Sequence, residues 1–308
     1  MKKRALVTGG AGFVGSYLVE ALLSKGYQVI VVDNLSTGRR ENIPDACRFY
    51  QIDIESPKLL QLFAKEKPNI VWHLAALTDT SVSLESILHD LEINLLGTLN
   101  TLKAASQIKC EKFIFTSTAA VYGDTPKLPI SENSALNPIS PYGVGKLTCE
   151  NYVRMFCDFY GIKYTILRYG NIYGPRQYQK GGSGAIPIFI KKMLSGETPF
   201  LFGDGNQIRD YVYVDDVVEA TLKAINKGDS KIINIGTTKG ISTRRLYKLI
   251  ATLLDFKASP KLIAGRSGEI VNSVLASNLA KKELKWRPKT DIKDGLDKTV
   301  KWWKGIKH

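Results

Sequence analysis

The stretch "ALVTGGAGFVGS", residues 5–16, decides the fold. A short apolar run enters a glycine-rich turn, and the turn opens directly into an amphipathic segment. Gly10, Gly12 and Gly15 satisfy G-x-G-x-x-G, while Gly9, Gly12 and Gly15 satisfy the related G-x-x-G-x-x-G. Glycines permit the tight turn and let the backbone approach a pyrophosphate. The helix that follows offers free N–H groups and the positive end of its dipole. Alone the spacing is weak; between a strand and a helix it points to a dinucleotide.

The same alternation continues outward. Strand-like runs at 4–8, 28–33, 48–52, 69–74, 112–117 and 163–169 alternate with helix-like segments at 13–25, 57–66, 83–107 and 142–160. This predicts an α/β, Rossmann-type doubly wound parallel sheet with ligands at the carboxyl ends of its strands. After residue 170 the texture changes, and "GNIYGPRQYQKGGSG" reads as a long functional loop. Helices near 185–196, 215–226, 242–254, 277–284 and 292–304 follow, with strands near 199–202, 232–235 and 260–263. The expected division is a nucleotide-binding domain over 1–170 and a smaller α/β substrate lobe over 171–308, with some crossing of the chain between them.

Composition sets the limits. The 308 residues are 44% hydrophobic and 23% charged, ordinary for a globular enzyme with a substantial core. No apolar run reaches the length of a membrane span, and the apolar stretch behind "MKKR" is too short for a secretory signal, so a cytoplasmic protein is expected. Cys47, Cys110, Cys149 and Cys157 show no metal-like spacing, and the histidines at 73, 89 and 308 are scattered, which argues against a metal site. The net charge of +14 attracts phosphate-bearing ligands, but its lysines are spread along the chain among acids, which fits a solvated surface better than a nucleic-acid footprint.

The second strand-like run ends at Asp33. A carboxylate there accepts the ribose hydroxyls of NAD and repels the 2′-phosphate of NADP. Arg39 and Arg40 follow nearby and favour that phosphate, so the two signals oppose each other; the carboxylate decides for NAD. Further on, "PYGVGK", residues 141–146, sets Tyr142 and Lys146 on one helical face. A phenol beside an ammonium is a candidate acid/base pair, because positive charge favours the phenolate. In a lysine-rich chain with 14 tyrosines such a pair also arises by chance, so its surroundings must decide.

Those surroundings carry a family resemblance. "TGGAGFVG", "DNLSTG", "HLAA", "STAAVYG", "SPYGVGK" and "RYGNIYGPRQ" occur in the order found in extended short-chain dehydrogenases/reductases. "GDGNQIRDYVYVDDV", "GRSGEIVNS" and "KKELKWRP" extend the likeness through nearly the whole chain. The sequence most resembles nucleotide-sugar 4-epimerases of the UDP-glucose/UDP-galactose type. The resemblance implies that Tyr142 is the catalytic base and Lys146 its partner, with Thr118 bonding the sugar's 4-oxygen; Ser117 points to the other side of the strand. It implies NAD contacts at Gly9, Gly12, Phe13, Val14 and Gly15, and at Asp33, Asn34, Ser36, Thr37 and Gly38. Asp53 and Ile54 fall near the adenine, Leu74, Ala75 and Ala76 along the cofactor, and Asn94 on the nicotinamide side.

For the UDP-sugar, the resemblance implies Asn171 and the clamping arginines Arg209 and Arg266, whose planar forks suit a diphosphate, with Glu269 on the ribose. Ser273 aligns with a position where a bulky residue narrows the hexose pocket, so a serine implies room for an N-acetyl group. Related dehydratases carry Asp-Glu after the catalytic threonine, and decarboxylases usually a glutamate at the second place. Here Ala119 and Ala120 stand there, so the proton donor and base for loss of water are missing. Epimerisation is the expected reaction; other UDP-glucuronate or pentose chemistry, and a non-catalytic nucleotide- or RNA-binding protein, are the alternatives. The resemblance also implies a homodimer through helices spanning 83–107 and 142–160.

Overall fold

The computed structural model describes residues 2–178, 184–265 and 270–306. Its first half alternates as the sequence requires. Strands β1 (Arg4–Thr8), β2 (Gln28–Asp33), β3 (Arg48–Gln51), β4 (Ile70–His73), β5 (Lys112–Thr118) and β6 (Lys163–Tyr169) interleave with helices α1 (Phe13–Ser24), α2 (Lys58–Glu66), α3 (Thr80–Glu85), α4 (Ile87–Asp90), α5 (Gly97–Gln107) and α6 (Pro141–Tyr160). The second half holds β7 (Asn171–Tyr173), α7 (Ala185–Leu194), β8 (Phe200–Phe202), β9 (Ile208–Tyr213), α8 (Val214–Lys223) and β10 (Lys231–Ile235). It ends with β11 (Gly240–Ser242), α9 (Thr243–Leu254), β12 (Lys261–Ile263), β13 (Asn272–Ser273) and α10 (Ile292–Gly305).

The large sheet has seven parallel strands in the order β10-β6-β5-β4-β1-β2-β3. Its central strands are apolar on both faces because helices cover both, as parallel sheets demand. One face holds a core that includes Leu18, Trp72 and Trp286; the other holds Phe63, Phe113 and Phe115. The chain order reverses beside β1, and the cleft at the strands' carboxyl ends opens there. The smaller sheets are short: β11-β9-β13 with β7 on β9, and the pair β12-β8.

Three sequence expectations need correction. The strand at 232–235 was assigned to the smaller lobe, yet β10 lies beside β6 and closes the edge of the large sheet. Its "IINI" core is as apolar as any central strand, and nothing local says which sheet it joins. The helix expected over 83–107 is broken: Ser86 leaves helical geometry, α4 follows, and a π-helical turn over Leu91–Leu96 leads into α5. β7, β9, β11 and β13 go beyond the expected strands: three of them are only two or three residues long, and β9 is interrupted by Arg209 and Asp210. Among the described residues no helix is long and apolar enough to cross a membrane.

Candidate active site

The glycine-rich turn closes on itself too tightly for other residues. Gly9 has φ +70°, and an added Cβ would meet the Ala75 nitrogen at 2.7 Å. A Cβ on Gly15 would stand 2.0 Å from the Gly9 carbonyl oxygen. Gly12 precedes α1, whose first residues Phe13 and Val14 pack against the core of the second lobe. The turn therefore presents bare backbone at a helix N-terminus facing the cleft, the arrangement that suits a pyrophosphate.

Asp33 ends β2 almost buried, and its two oxygens accept the N–H groups of Ala11 at 2.9 Å and Leu35 at 2.8 Å. Burial raises its carboxyl above the ordinary range, and those two N–H bonds pull it back. Asn34, Ser36 and Thr37 line the exposed loop beyond, and Gly38 returns it against Ala11. Asn34 donates to Asp53 at 2.9 Å, joining the ends of β2 and β3. Both arginines that favour a 2′-phosphate are engaged elsewhere. Arg39 stacks 3.5 Å over the Tyr178 ring and bonds Glu41, while Arg40 donates to the Ile43 carbonyl. The residues present fit NAD, with an acceptor at the ribose and, among the described residues, Arg39 and Arg40 turned to other partners.

Leu74, Ala75 and Ala76 form the half-buried rim after β4. A chain of hydrogen bonds fixes that rim from below. The Ala75 N–H donates to the Thr8 hydroxyl at 3.3 Å, which contacts His73 Nδ1 at 2.8 Å. His73 Nε2 meets Thr98 at 2.9 Å, and Thr98 donates to the Asn94 carbonyl. Burial drives His73 down to about 3, so the ring is neutral. Asn94 is buried. Its amide exchanges hydrogen bonds with the Leu77 backbone at 2.9 Å each way, and donates to Asp90 at 2.9 Å. The π-helical turn rotates this amide inward, where it holds the loop that borders the cofactor cleft. Ile54 lies buried under Gly97, so it too supports from below.

α6 is started sharply by Ser140, whose hydroxyl accepts the Gly143 N–H at 3.1 Å, with Pro141 as first residue. That start puts Tyr142 in the first turn and Lys146 one turn on. Tyr142 lies beside Thr118 at the end of β5, near enough for that hydroxyl to act on its phenol. Burial pushes the phenol well above its usual value; the Thr118 hydroxyl lowers it, and Asp90 raises it further. Lys146 is 2% exposed, with its ammonium 4.3 Å over the Phe115 ring. Burial lowers it to about 8. Ser117 faces away: it donates to Glu150, which is paired bidentately with Arg168 at 2.9 and 2.6 Å. Arg168 also donates to Tyr122, and Tyr122 to Asn234 on β10.

On the other side of the cleft, the short strands bring three substrate candidates onto adjacent strands around β9. Ser273 on β13 is the register partner of Arg209 on β9, and Asn171 on β7 is that of Tyr211. Ser273 is buried, and Arg209 donates to the carbonyls of Ile270 and Val271. Arg266 and Glu269 lie outside the described residues. Asp90, Glu150, Arg168 and Tyr122 escaped the sequence reading. Glu150 follows Lys146 by four positions on the same helical face, and Arg168 interrupts an apolar strand. An ion on a buried stripe was the available signal.

The sequence profile of the NAD dependent epimerase/dehydratase family matches residues 5–236. A putative UDP-glucose 4-epimerase of Methanocaldococcus jannaschii is 42% identical over 97% of this chain and 98% of its own. The UDP-glucose 4-epimerase of Thermotoga maritima, solved with UDP-glucose, superposes with a TM-score of 0.96 at 42% identity, covering 98% of each chain. The Thermus thermophilus UDP-glucose 4-epimerase, solved with NAD, gives 0.93 at 39% identity over 98% of this chain and 99% of that one. With a glycine turn, a ribose-side carboxylate and a Thr–Tyr–Lys constellation around one cleft, this chain belongs to the NAD dependent epimerase/dehydratase family.

Proposed function

We propose that this protein interconverts the C4 epimers of a UDP-hexose, first UDP-glucose and UDP-galactose, with NAD held through successive turnovers. The observation that carries this is the placement of Tyr142 beside Thr118, with Lys146 one turn on and Ala119 and Ala120 next to them. Tyr142 takes the proton from the sugar's 4-hydroxyl and later returns it, while Thr118 holds the 4-oxygen. NAD, when bound, supplies the hydride acceptor and donor at C4. Lys146 lends positive charge to a phenol that burial would otherwise keep protonated, and bonds the nicotinamide ribose. The 4-keto sugar turns over in the site and is reduced on its other face. The two alanines offer no acid or base for eliminating water, so the keto sugar has no competing exit.

Arg209 and Arg266 hold the diphosphate, Asn171 adds a hydrogen bond to it, and Glu269 takes the uridine ribose. A firm grip on the diphosphate leaves the hexose free to rotate. Serine at 273 leaves room for an N-acetyl group, which extends the substrate range to UDP-GlcNAc and UDP-GalNAc. The protein works as a homodimer, through α3, α4, the π-helical turn and α6. Support comes from the apolar side chains these elements expose, among them Leu88 at 75% and Phe159 at 78%. Its thiols are free, which fits a reducing, cytoplasmic setting.

Incubating the purified protein with UDP-glucose, UDP-GlcNAc and UDP-glucuronate separately, with NAD⁺ at catalytic concentration, tests this by NMR. A 4-epimer of unchanged mass is the expected product. A product lighter by water or carbon dioxide would replace epimerisation with elimination or decarboxylation.

A further inference from the structure

Asp90 ends α4 and is fully buried. One carboxylate oxygen accepts the Asn94 amide at 2.9 Å. The other, Oδ1, has no hydrogen-bond partner. It lies against α6, where a Cβ added to Gly145 would come within 3.3 Å. A buried carboxylate with an unpaired oxygen is costly unless an opposite charge stands near.

The neighbouring groups narrow the choice of counter-charge. On α6, Glu150 is already balanced by Arg168, and burial keeps Cys149 a neutral thiol. On β4, His73 is neutral. On α4 and the π-helical turn, exposed His89 and Glu92 face each other at 3.9 Å. β5 contributes Phe115 and Thr118, which carry no charge. Around Gly145 on the same helix stand Tyr142, three residues before it, and Lys146, next to it. Cys149, Glu150 and Asp90, in that order, favour the Lys146 ammonium against its burial, and Asp90 also raises the Tyr142 phenol.

We propose that Asp90 is a positioning residue whose buried, unpaired carboxylate oxygen against α6 is a counter-charge that helps keep the Lys146 ammonium charged inside the fold. This rests on the reading of Lys146 as Tyr142's partner. With a cationic nicotinamide, a phenolate and the ammonium in one pocket, the carboxylate brings the sum of charges to zero. It keeps that sum at zero once hydride and proton have both moved.

Asp90→Asn keeps the shape and an oxygen for Asn94 while removing the charge. Lys146 is followed by ¹³Cε NMR in the holoenzyme, with Lys146→Arg assigning the resonance. The variant's Lys146 midpoint should fall by about one pH unit, and the alkaline limb of kcat should fall with it. An unmoved midpoint overturns the proposal, including the case where only NAD affinity drops, since that would mark Asp90 as a mere prop for Asn94. If the variant does not fold, the wild-type protein decides. The Asp90 ¹³Cγ resonance should inflect at the Lys146 midpoint, and a carboxyl resonance without that inflection overturns the idea. Lys146→Met with undiminished turnover would sink the catalytic couple itself, whatever the Asp90 result.

Discussion

The two sides of the cleft are built on different terms. On the cofactor side, long parallel strands are buried on both faces, and polar side chains near the site are committed to one another: Thr8 to His73, His73 to Thr98, Asn94 to Asp90, Ser117 to Glu150. On the sugar side, Asn171 and Ser273 sit on strands of three and two residues and Arg209 on one of six, and β12 is exposed along its whole length. Interlocked hydrogen bonds resist displacement because breaking one strands its buried partner. Short strands with exposed edges hold position less tightly and tolerate change. The difference teaches where each property resides: the chemistry is fixed in the interlocked half, and the choice of sugar in the half that can vary.

The hardest test of that division is Tyr142→Phe. It removes the acid/base hydroxyl and little else, so kcat should fall about 10³-fold while the melting temperature stays near wild type. A variant that retained more than a tenth of wild-type turnover would move the chemistry elsewhere.

Next in size is a stability effect of the buried ammonium. The unfolded chain keeps the Lys146 proton up to about 10.5, whereas the folded chain releases it near 8. Between those values the unfolded state binds more protons, so this group's contribution to stability rises with pH, by roughly 3 kcal/mol across the window. Lys146→Met should remove that slope and be the more stable protein at pH 7, while losing most of its activity. Denaturant titrations of both proteins from pH 7 to 10 check it. Parallel curves would mean that the ammonium is less costly than its burial implies.

The smallest expected effect lies on the sugar side. Ser273→Tyr should lower kcat/KM for UDP-GlcNAc about 10- to 100-fold and leave UDP-glucose within a few-fold. Comparable losses on both sugars would show that β13 is as rigidly built as the cofactor side, and the contrast would fail.

How much of this could be read from residues follows the same line. The cofactor half was legible because its strands are apolar runs and its turns are marked by glycine, and local pattern determines both. The ends of β1 and β2, and with the latter Asp33, came out where the sequence put them, and β5 runs one residue past its expected end at 117, to Thr118. Asp90 and Asn94 were harder. Their inward turn depends on a π-helical step that no periodicity announces, and the bond of the Asn94 amide to the Leu77 carbonyl has no local signal. β9 was missed because "IRDYVY" interrupts its apolar residues with Arg209 and Asp210. Asp210 is nevertheless buried, accepting hydrogen bonds from Thr237 and Leu275 across the small lobe. Such a carboxylate makes sense only once distant segments have come together.

The return of β10 to the edge of the large sheet also bears on how the chain is made. Until residue 235 has left the ribosome, β6 has a bare edge, with unpaired N–H and C=O groups along a strand whose side chains are mostly apolar. A nascent chain of 170 residues therefore carries a template for pairing with its neighbours on the same polysome. The strand that covers this edge arrives only after β7, β8, β9 and α8 have been synthesised. The two halves mature together, and a fragment cut between them would be an aggregating one.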